Sequence, residues 1–194
     1  MIRSRLSLIT LLAIALTACA PAAPHLSGTE LGGDLARDFT LTDGVSGDAI
    51  TLSALRGNVV ALAFLYTHCP DVCPLSAAQF RAAQGLLGAD AARVRFVAVS
   101  VDPDGDTPSA VKAFSLAHDL RDNWRYLIGP RAVLQPVWSA YGVGAFASAT
   151  GTGVDHNDAI FLIDAGGHER EIVHSDIALK DLVADVRALL RGSR

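Results

Sequence analysis

The chain has 194 residues, of which 51% are hydrophobic and 19% are charged, and its formal net charge is −4. This length and balance favour one folded domain with a full core and argue against two domains. The acidic balance and the lack of a Lys/Arg cluster argue against nucleic-acid binding, which needs a basic surface.

The N-terminus has the pattern of a bacterial lipoprotein signal. Arg3 and Arg5 precede an uncharged stretch over residues 6–18, which has signal-peptide length and is short for a membrane span of about 20 residues. The stretch ends in Leu-Thr-Ala-Cys, which resembles the lipobox, whose cysteine is acylated. We therefore predict a signal peptide over 1–18 and an extracytoplasmic protein anchored to the bacterial membrane by a lipid on Cys19. Cleavage after Ala20 and an uncleaved anchor are the alternatives.

The predicted elements alternate along the chain after a tether. Residues 19–36 are rich in Ala, Pro and Gly, without periodicity, and predict a flexible tether before a domain over 37–194. Apolar periodicity then predicts strands over 39–41, 49–52 and 59–66, a helix over 74–87, a strand over 94–101, a helix over 108–118, a strand over 124–128, a helix over 131–141, strands over 159–163 and 169–174, and a helix over 177–190. Pro136 is expected to kink or shorten the third helix.

This alternation predicts an α/β sandwich of the thioredoxin-like class, with a central mixed sheet flanked by helices. The last two strands flank Asp-Ala-Gly-Gly at 164–167, a hairpin pattern. Two cysteines lie at the carboxyl end of a predicted strand, where open α/β sheets place their functional sites.

Cys69 and Cys73 lie in Thr-His-Cys-Pro-Asp-Val-Cys-Pro, between the strand over 59–66 and the following helix. The partial positive charge at a helix start favours thiolate, the form that attacks disulfides and binds metals. With Cys19 lipidated, these two cysteines remain outside the cytoplasm, where thiols oxidise readily. A disulfide between them would close a very small loop and add little stability. We therefore expect a chemical role for the pair.

Three chemistries compete for the cysteine pair. Thioredoxin-type exchange uses two intervening residues, whereas this motif has three. Structural zinc needs four ligands, and the six histidines show no paired ligand spacing. Copper(I) accepts two thiolates and one imidazole. His156, in the loop before the strand over 159–163, is the candidate third ligand, and His68 is a neighbour that tunes the thiols or merely packs.

Three acidic residues accompany this region. Asp102 and Asp106 are expected to serve the turn and the N-cap of the helix starting near Pro108. The alternative for both is a supporting or partner-docking role near the end of the strand over 94–101. Asp71, between the cysteines, is expected to orient the loop or face a positively charged partner.

Three sequence blocks together resemble the Sco/SenC family of copper proteins. They are Phe-Leu-Tyr-Thr-His-Cys-Pro-Asp-Val-Cys-Pro at 64–74, Val-Ser-Val-Asp-Pro with Asp-Thr-Pro at 99–108, and Asp-His-Asn at 155–157 leading to Phe-Leu-Ile-Asp. The resemblance covers roughly residues 36–191. It implies a thioredoxin-like fold, copper binding through Cys69, Cys73 and His156, and a role in assembling the dinuclear copper centre of cytochrome c oxidase.

The predicted function is therefore a copper metallochaperone rather than an enzyme. Its expected partners are the copper-centre subunit of cytochrome c oxidase, other copper chaperones or thiol reductants, and the membrane. The alternative is a membrane-tethered thiol–disulfide oxidoreductase that keeps the oxidase's copper-ligand cysteines reduced through a Cys69–Cys73 redox disulfide and does not need His156. Thioredoxin-like reductases resemble one another in a cis-proline that faces the cysteines before a central strand. The matching stretch here, 155–160, contains no proline, which argues against a general reductase. A peroxidase is a third interpretation, and copper or redox sensing has the same sequence pattern.

Overall fold

The computed structural model describes residues 25–144, 146–147, 154–155 and 157–192, with the two short segments described by their backbone alone. The α-helices are α1 Val72–Leu87, α2 Pro108–Ala117, α3 Arg131–Ala140 and α4 Leu179–Gly192. The strands are β1 Thr29–Glu30, β2 Thr40–Asp43, β3 Ala49–Thr51, β4 Val59–Leu65, β5 Val94–Ser100, β6 Trp124–Ile128, β7 Phe146–Ala147, β8 Val154–Asp155, β9 Ile160–Ile163 and β10 Glu169–Val173.

Eight of the described strands form one mixed sheet in the order β1-β10-β9-β4-β5-β6-β2-β3, and β7 pairs with β8 separately. The central strands β4, β5 and β6 are parallel to one another. The remaining neighbours in the sheet pair antiparallel. The predicted α/β sandwich with a mixed sheet is confirmed.

The strand β4 lies at the centre of the sheet, and all of its residues are buried. A strand covered on both faces has a continuous apolar sequence rather than an alternating one, as the Val-Val-Ala-Leu-Ala-Phe-Leu run of β4 has. Phe64 of β4 packs against Tyr141 and Phe161 with ring centroids 5.6 Å and 6.1 Å apart. Phe80 of α1 packs on Phe96 of β5 with centroids 5.0 Å apart. The core therefore fixes α1 and the carboxyl end of β4, the two elements that flank the cysteine motif.

Helix α3 is not shortened at Pro136. The proline lies inside the helix, which continues to Ala140. Leu134, Val137 and Trp138 on either side of it are buried. A proline removes one backbone hydrogen bond from a helix. Burial of these side chains in the core offsets that loss and stabilises α3.

The segment over 26–31, here called the N-terminal strap, also differs from its prediction as part of the tether. Leu26 is 3% exposed, and β1 pairs with β10 through Thr29 opposite Ile172. The Leu31 N–H donates to the Arg170 carbonyl at 2.9 Å. An edge strand pairs through its backbone, so a short one needs no side-chain periodicity and composition does not indicate it. The strap is thus part of the folded unit.

The predicted signal peptide over 1–18 and the lipidation site Cys19 lie outside the described residues. Within the described ranges, no helix has both the length and the apolar character needed to cross a bilayer.

Candidate metal centre

The two cysteines lie where the chain leaves β4 and begins α1. Cys69 is in the connecting loop and is half-buried, and Cys73 is in the first turn of α1 and is fully buried. Neither forms a disulfide in the described structure, and their side chains are hydrogen-bonded to each other. The Cys69 N–H donates to the Tyr66 carbonyl at 3.3 Å. The fold therefore brings the predicted pair of sulfurs into contact.

Burial makes the two thiols chemically unequal. Loss of solvation raises the pKa of Cys73 far above its usual value, and the hydrogen bond with Cys69 raises it further. The expectation that the helix start favours thiolate is therefore wrong for Cys73, because desolvation opposes the charged form more strongly than the helix end favours it. A partner molecule can reach Cys69 more easily than Cys73.

The third predicted ligand, His156, lies outside the described residues. The described strand that follows it, β9, pairs antiparallel with β4 so that Ile160 lies opposite Ala63 and Ile163 opposite Val60. Because the strands run in opposite directions, the amino end of β9 lies at the carboxyl end of β4. The chain therefore enters β9, four residues after His156, at the end of the sheet that carries the cysteines.

Asp106 has a role that differs from the expected N-cap. Thr107 caps α2, because its side chain accepts a hydrogen bond from the Ala110 N–H and Pro108 is the first helical residue. Asp106 instead turns into the protein and is 3% exposed. Burial raises its pKa, while hydrogen bonds from Ser100, Thr67 and Tyr126 act in the opposite direction.

The two oxygens of Asp106 are filled by donors from three parts of the chain. Oδ1 accepts from the Thr67 N–H at 2.8 Å and from the Thr67 hydroxyl at 2.7 Å. Oδ2 accepts from the Ser100 hydroxyl at 2.6 Å and from the Tyr126 hydroxyl at 3.0 Å. This buried cluster lies beneath the cysteine loop. The sequence feature that indicates this buried role is the Thr-Pro pair after Asp106. Thr107 caps the helix and Pro108 begins it, so Asp106 lies outside the helix.

Asp102, Asp71 and His68 are all less buried than Asp106. The Asp102 carboxylate accepts from the Gly105 N–H at 3.1 Å, so its predicted turn role is confirmed. Asp71 is exposed at the N-cap position of α1 and its side chain makes no capping hydrogen bond. His68 is also exposed, with Nδ1 3.1 Å from the Thr67 hydroxyl. Because that hydroxyl gives its hydrogen to Asp106, Nδ1 of His68 is the donor in this contact.

Two histidines are held in the hairpin region by contacts unrelated to the thiols. His168 Nδ1 lies 3.3 Å from the Asp164 carboxylate at the turn after β9, and His174 Nδ1 contacts the Asp158 carbonyl. Within the described residues, no group of three or more His, Cys, Asp or Glu side chains could hold a metal ion. The described part of the site is thus a pair of soft sulfur donors, which fits copper(I) better than zinc or a hard cation.

The sequence model of one family matches residues 27–191, nearly all of the described chain: SCO1/SenC. The chain belongs to the SCO1/SenC family. This Sco protein is 36% identical to the SCO1 protein homolog of Bacillus subtilis over 84 residues, which are 43% of this chain and 44% of that relative. The match therefore spans less than half of the relative's length.

Two solved Sco structures share the fold. The structure of Bradyrhizobium japonicum ScoI with copper bound has a TM-score of 0.72 and 32% identity, and the match covers 81% of this chain and 100% of that one. A SCO1/SenC family lipoprotein from Bacillus anthracis has a TM-score of 0.72 and 27% identity, with 83% of this chain and 97% of that one covered. The predicted family and its thioredoxin-like fold are confirmed.

Proposed function

We propose that this Sco protein binds copper through Cys69, Cys73 and His156 and transfers it during assembly of the dinuclear copper centre of cytochrome c oxidase. The observation that carries the proposal is the pair of reduced, mutually hydrogen-bonded thiols after the carboxyl end of β4. The start of β9 at that same end of the sheet supports His156 as the third ligand. Membership of the SCO1/SenC family and the copper-bound ScoI relative support copper as the metal.

The chemistry follows from the donor set. Thiolates prefer Cu(I), and an added imidazole makes the site suitable for Cu(II) as well. Each cysteine thiol releases its proton to become a ligand, so copper binding weakens as the pH falls. A Cys69–Cys73 disulfide binds no copper until an external dithiol supplies two electrons and two protons and is itself oxidised to a disulfide. Copper then leaves by ligand exchange, as the recipient's thiolates replace those of this protein one at a time.

The test is an anaerobic copper titration of the full chain, purified reduced in detergent, with metal analysis and absorbance spectra. We expect Cys69→Ser and Cys73→Ser each to abolish one-to-one binding. His156→Ala is expected to weaken Cu(II) binding far more than Cu(I) binding. His168→Ala is the matched control, because His168 lies at the turn beyond the opposite end of β9. Sulfur-to-Cu(II) charge-transfer absorption that persists in Cys73→Ser would contradict the ligand assignment.

A thiol–disulfide oxidoreductase is the second candidate, and the unequal exposure of the two cysteines favours it. Exchange needs one accessible thiol to attack and a second, shielded thiol to resolve the mixed disulfide. Cys69 is half-buried and Cys73 is fully buried. We test this with His156→Ala. If that variant no longer binds Cu(II) but reduces a disulfide-bonded peptide at the wild-type rate, exchange is independent of the metal. Loss of both activities together would exclude a separate reductase function.

The lipid anchor is proposed for Cys19, supported by the lipobox-like sequence and by the Bacillus anthracis lipoprotein relative. We expect Cys19→Ala expressed in a bacterial host to lose incorporation of a labelled fatty acid and to leave the membrane fraction. Cys69→Ser is the matched control, because it removes a cysteine and should remain lipidated. Label retained in Cys19→Ala would contradict the anchor.

A further inference from the structure

We propose that Asp106 is a positioning residue for the metal centre, which holds Thr67 and thereby sets the loop conformation that brings Cys69 and Cys73 together. In this role Asp106 acts through its hydrogen bonds with the N–H and the hydroxyl of Thr67. Its consequence for copper rests on the proposed function, whereas its consequence for the loop does not.

The contacts of Asp106 join the loop after β4 to β5 and β6. Thr67 is two residues before Cys69 and binds Oδ1 through both its N–H and its hydroxyl, at 2.8 Å and 2.7 Å. Ser100, at the end of β5, and Tyr126, in β6, donate to Oδ2. One carboxylate therefore fixes the first residue after β4 and its neighbour in the loop relative to β5 and β6, the two strands parallel to β4.

The loop itself has little packing to hold it in place. His68, Pro70 and Asp71 are exposed, and only Cys69 among the residues between Thr67 and α1 is half-buried. The Cys69 N–H makes a long bond of 3.3 Å to the Tyr66 carbonyl. With few buried contacts, the hydrogen bonds at Thr67 carry much of the order of the loop.

Asp106 lies just before α2 and does not cap that helix. Thr107 already caps α2, and a buried carboxylate is unfavourable unless donors fill its oxygens. Here both oxygens accept two hydrogen bonds each, and half of the donors come from Thr67. The hydrogen bonds of Asp106 therefore hold the residue that leads into the cysteine loop, Thr67.

The principal test compares Asp106→Ala with the wild type in the full reduced chain, by copper titration and by amide hydrogen exchange. Loss of an outer residue that orients ligands typically weakens metal affinity by 10- to 100-fold, so we expect a loss of about tenfold or more. We also expect a shifted sulfur-to-Cu(II) absorption maximum. Without copper, exchange of the Thr67 and Cys69 amides should accelerate by about tenfold or more, because the Thr67 N–H loses its acceptor and the loop that holds the Cys69 N–H is loosened.

Asp43→Ala is the matched control. Asp43 is equally buried, at 2% exposed, and its carboxylate accepts from the Val45 N–H at 3.0 Å and the Ser46 hydroxyl at 3.2 Å. It meets Tyr126 at the backbone N–H, at 3.4 Å, and not at the hydroxyl that donates to Asp106, and it lies 3.7 Å from Arg125 Nε. It lies in β2, which β5 and β6 separate from β4. We expect Asp43→Ala to lower the stability of the protein and to leave copper affinity, the absorption maximum and exchange at Thr67 unchanged.

A second pair of variants covers the case in which Asp106→Ala does not fold. Thr67→Val keeps the side-chain shape and removes the hydroxyl that donates to Asp106, and Thr67→Ser keeps that hydroxyl. We expect Thr67→Val to show the same changes in smaller degree and Thr67→Ser to restore wild-type values. Equal behaviour of these two variants would overturn the proposal.

The two readouts separate this inference from the proposed function. Wild-type copper affinity, absorption and amide exchange in folded Asp106→Ala would overturn the positioning role. A wild-type chain that binds no copper would overturn the proposed function alone, because faster exchange at Thr67 in Asp106→Ala would still support the effect of Asp106 on the loop.

Discussion

Cys69 and Cys73 differ in environment although only three residues separate them. The difference arises because α1 begins at Val72, so that Cys73 turns with the helix into the core while Cys69 stays in the loop. Helix N-termini favour thiolate, but the buried position of Cys73 raises its pKa. The pair therefore has one thiol open to a partner and one held inside.

This asymmetry predicts unequal alkylation. In the reduced native chain, we expect iodoacetamide to modify Cys69 at least about tenfold faster than Cys73, because only exposed thiolate reacts readily. Mass spectrometry of digested protein at a series of times measures both rates. In Cys69→Ser, Cys73 should stay unmodified until denaturant is added, and rapid modification of Cys73 in that folded variant would contradict the buried position.

Residue-level prediction succeeded where a residue type has few uses and failed where it has several. A pair of cysteines after an apolar strand has few roles, and their contact was predictable. An aspartate before Thr-Pro fits both a cap and a buried acceptor, and only the packing of Ser100 and Tyr126 around Asp106 distinguishes the two. His156 stays a prediction.

At the scale of elements, long apolar patterns were sufficient to predict the core. The runs that became β4, β5 and β6 were recognised to within one residue because these parallel strands are mostly buried and mostly apolar. The strand β1 was missed because its two residues are exposed and pair only through the backbone. Its position depends on Gly28, where a Cβ atom would lie 2.5 Å from the Ile172 carbonyl oxygen.

Gly28→Ala is therefore expected to displace the N-terminal strap from β10. An added methyl group in a fixed, close-packed contact costs about 1–3 kcal/mol, and urea unfolding measures the loss. Gly32→Ala is the matched control, because a Cβ atom there would meet nothing within 4 Å. Equal stability of the two variants would show that the strap adjusts without cost.

For the molecule as a whole, buried carboxylates set the dependence of stability on pH. Glu171 of β10 is fully buried and accepts a hydrogen bond from the Gly28 N–H, while its Oε2 has no hydrogen-bond partner among the described residues. Burial, with the negative charges of Asp185 and Glu30, raises the pKa of Glu171 to about 7. The native state therefore holds a proton that the unfolded chain releases at lower pH, so Glu171 makes the protein less stable as the pH rises from about 4.5 to about 7.

Glu171→Gln is expected to remove this part of the pH dependence. Relative to the wild type, the variant should gain about 2–3 kcal/mol of unfolding free energy between pH 5 and pH 8. Urea unfolding at both pH values measures the difference. Asp104→Asn is the control, because the Asp104 side chain is 90% exposed and its removal should change the slope little. A difference between Glu171→Gln and wild type that is the same at both pH values would contradict the raised pKa.

The place of the N-terminal strap at the rim of the sheet determines how the domain responds to mechanical force. A pull on the chain upstream of residue 25 acts first on Ser27, whose N–H and hydroxyl bind the Asp185 carboxylate at 3.2 Å each, and then on the short ladder between β1 and β10. Two strands, β10 and β9, separate β1 from β4. Tension can therefore peel away the rim while the centre that carries the cysteines keeps its shape.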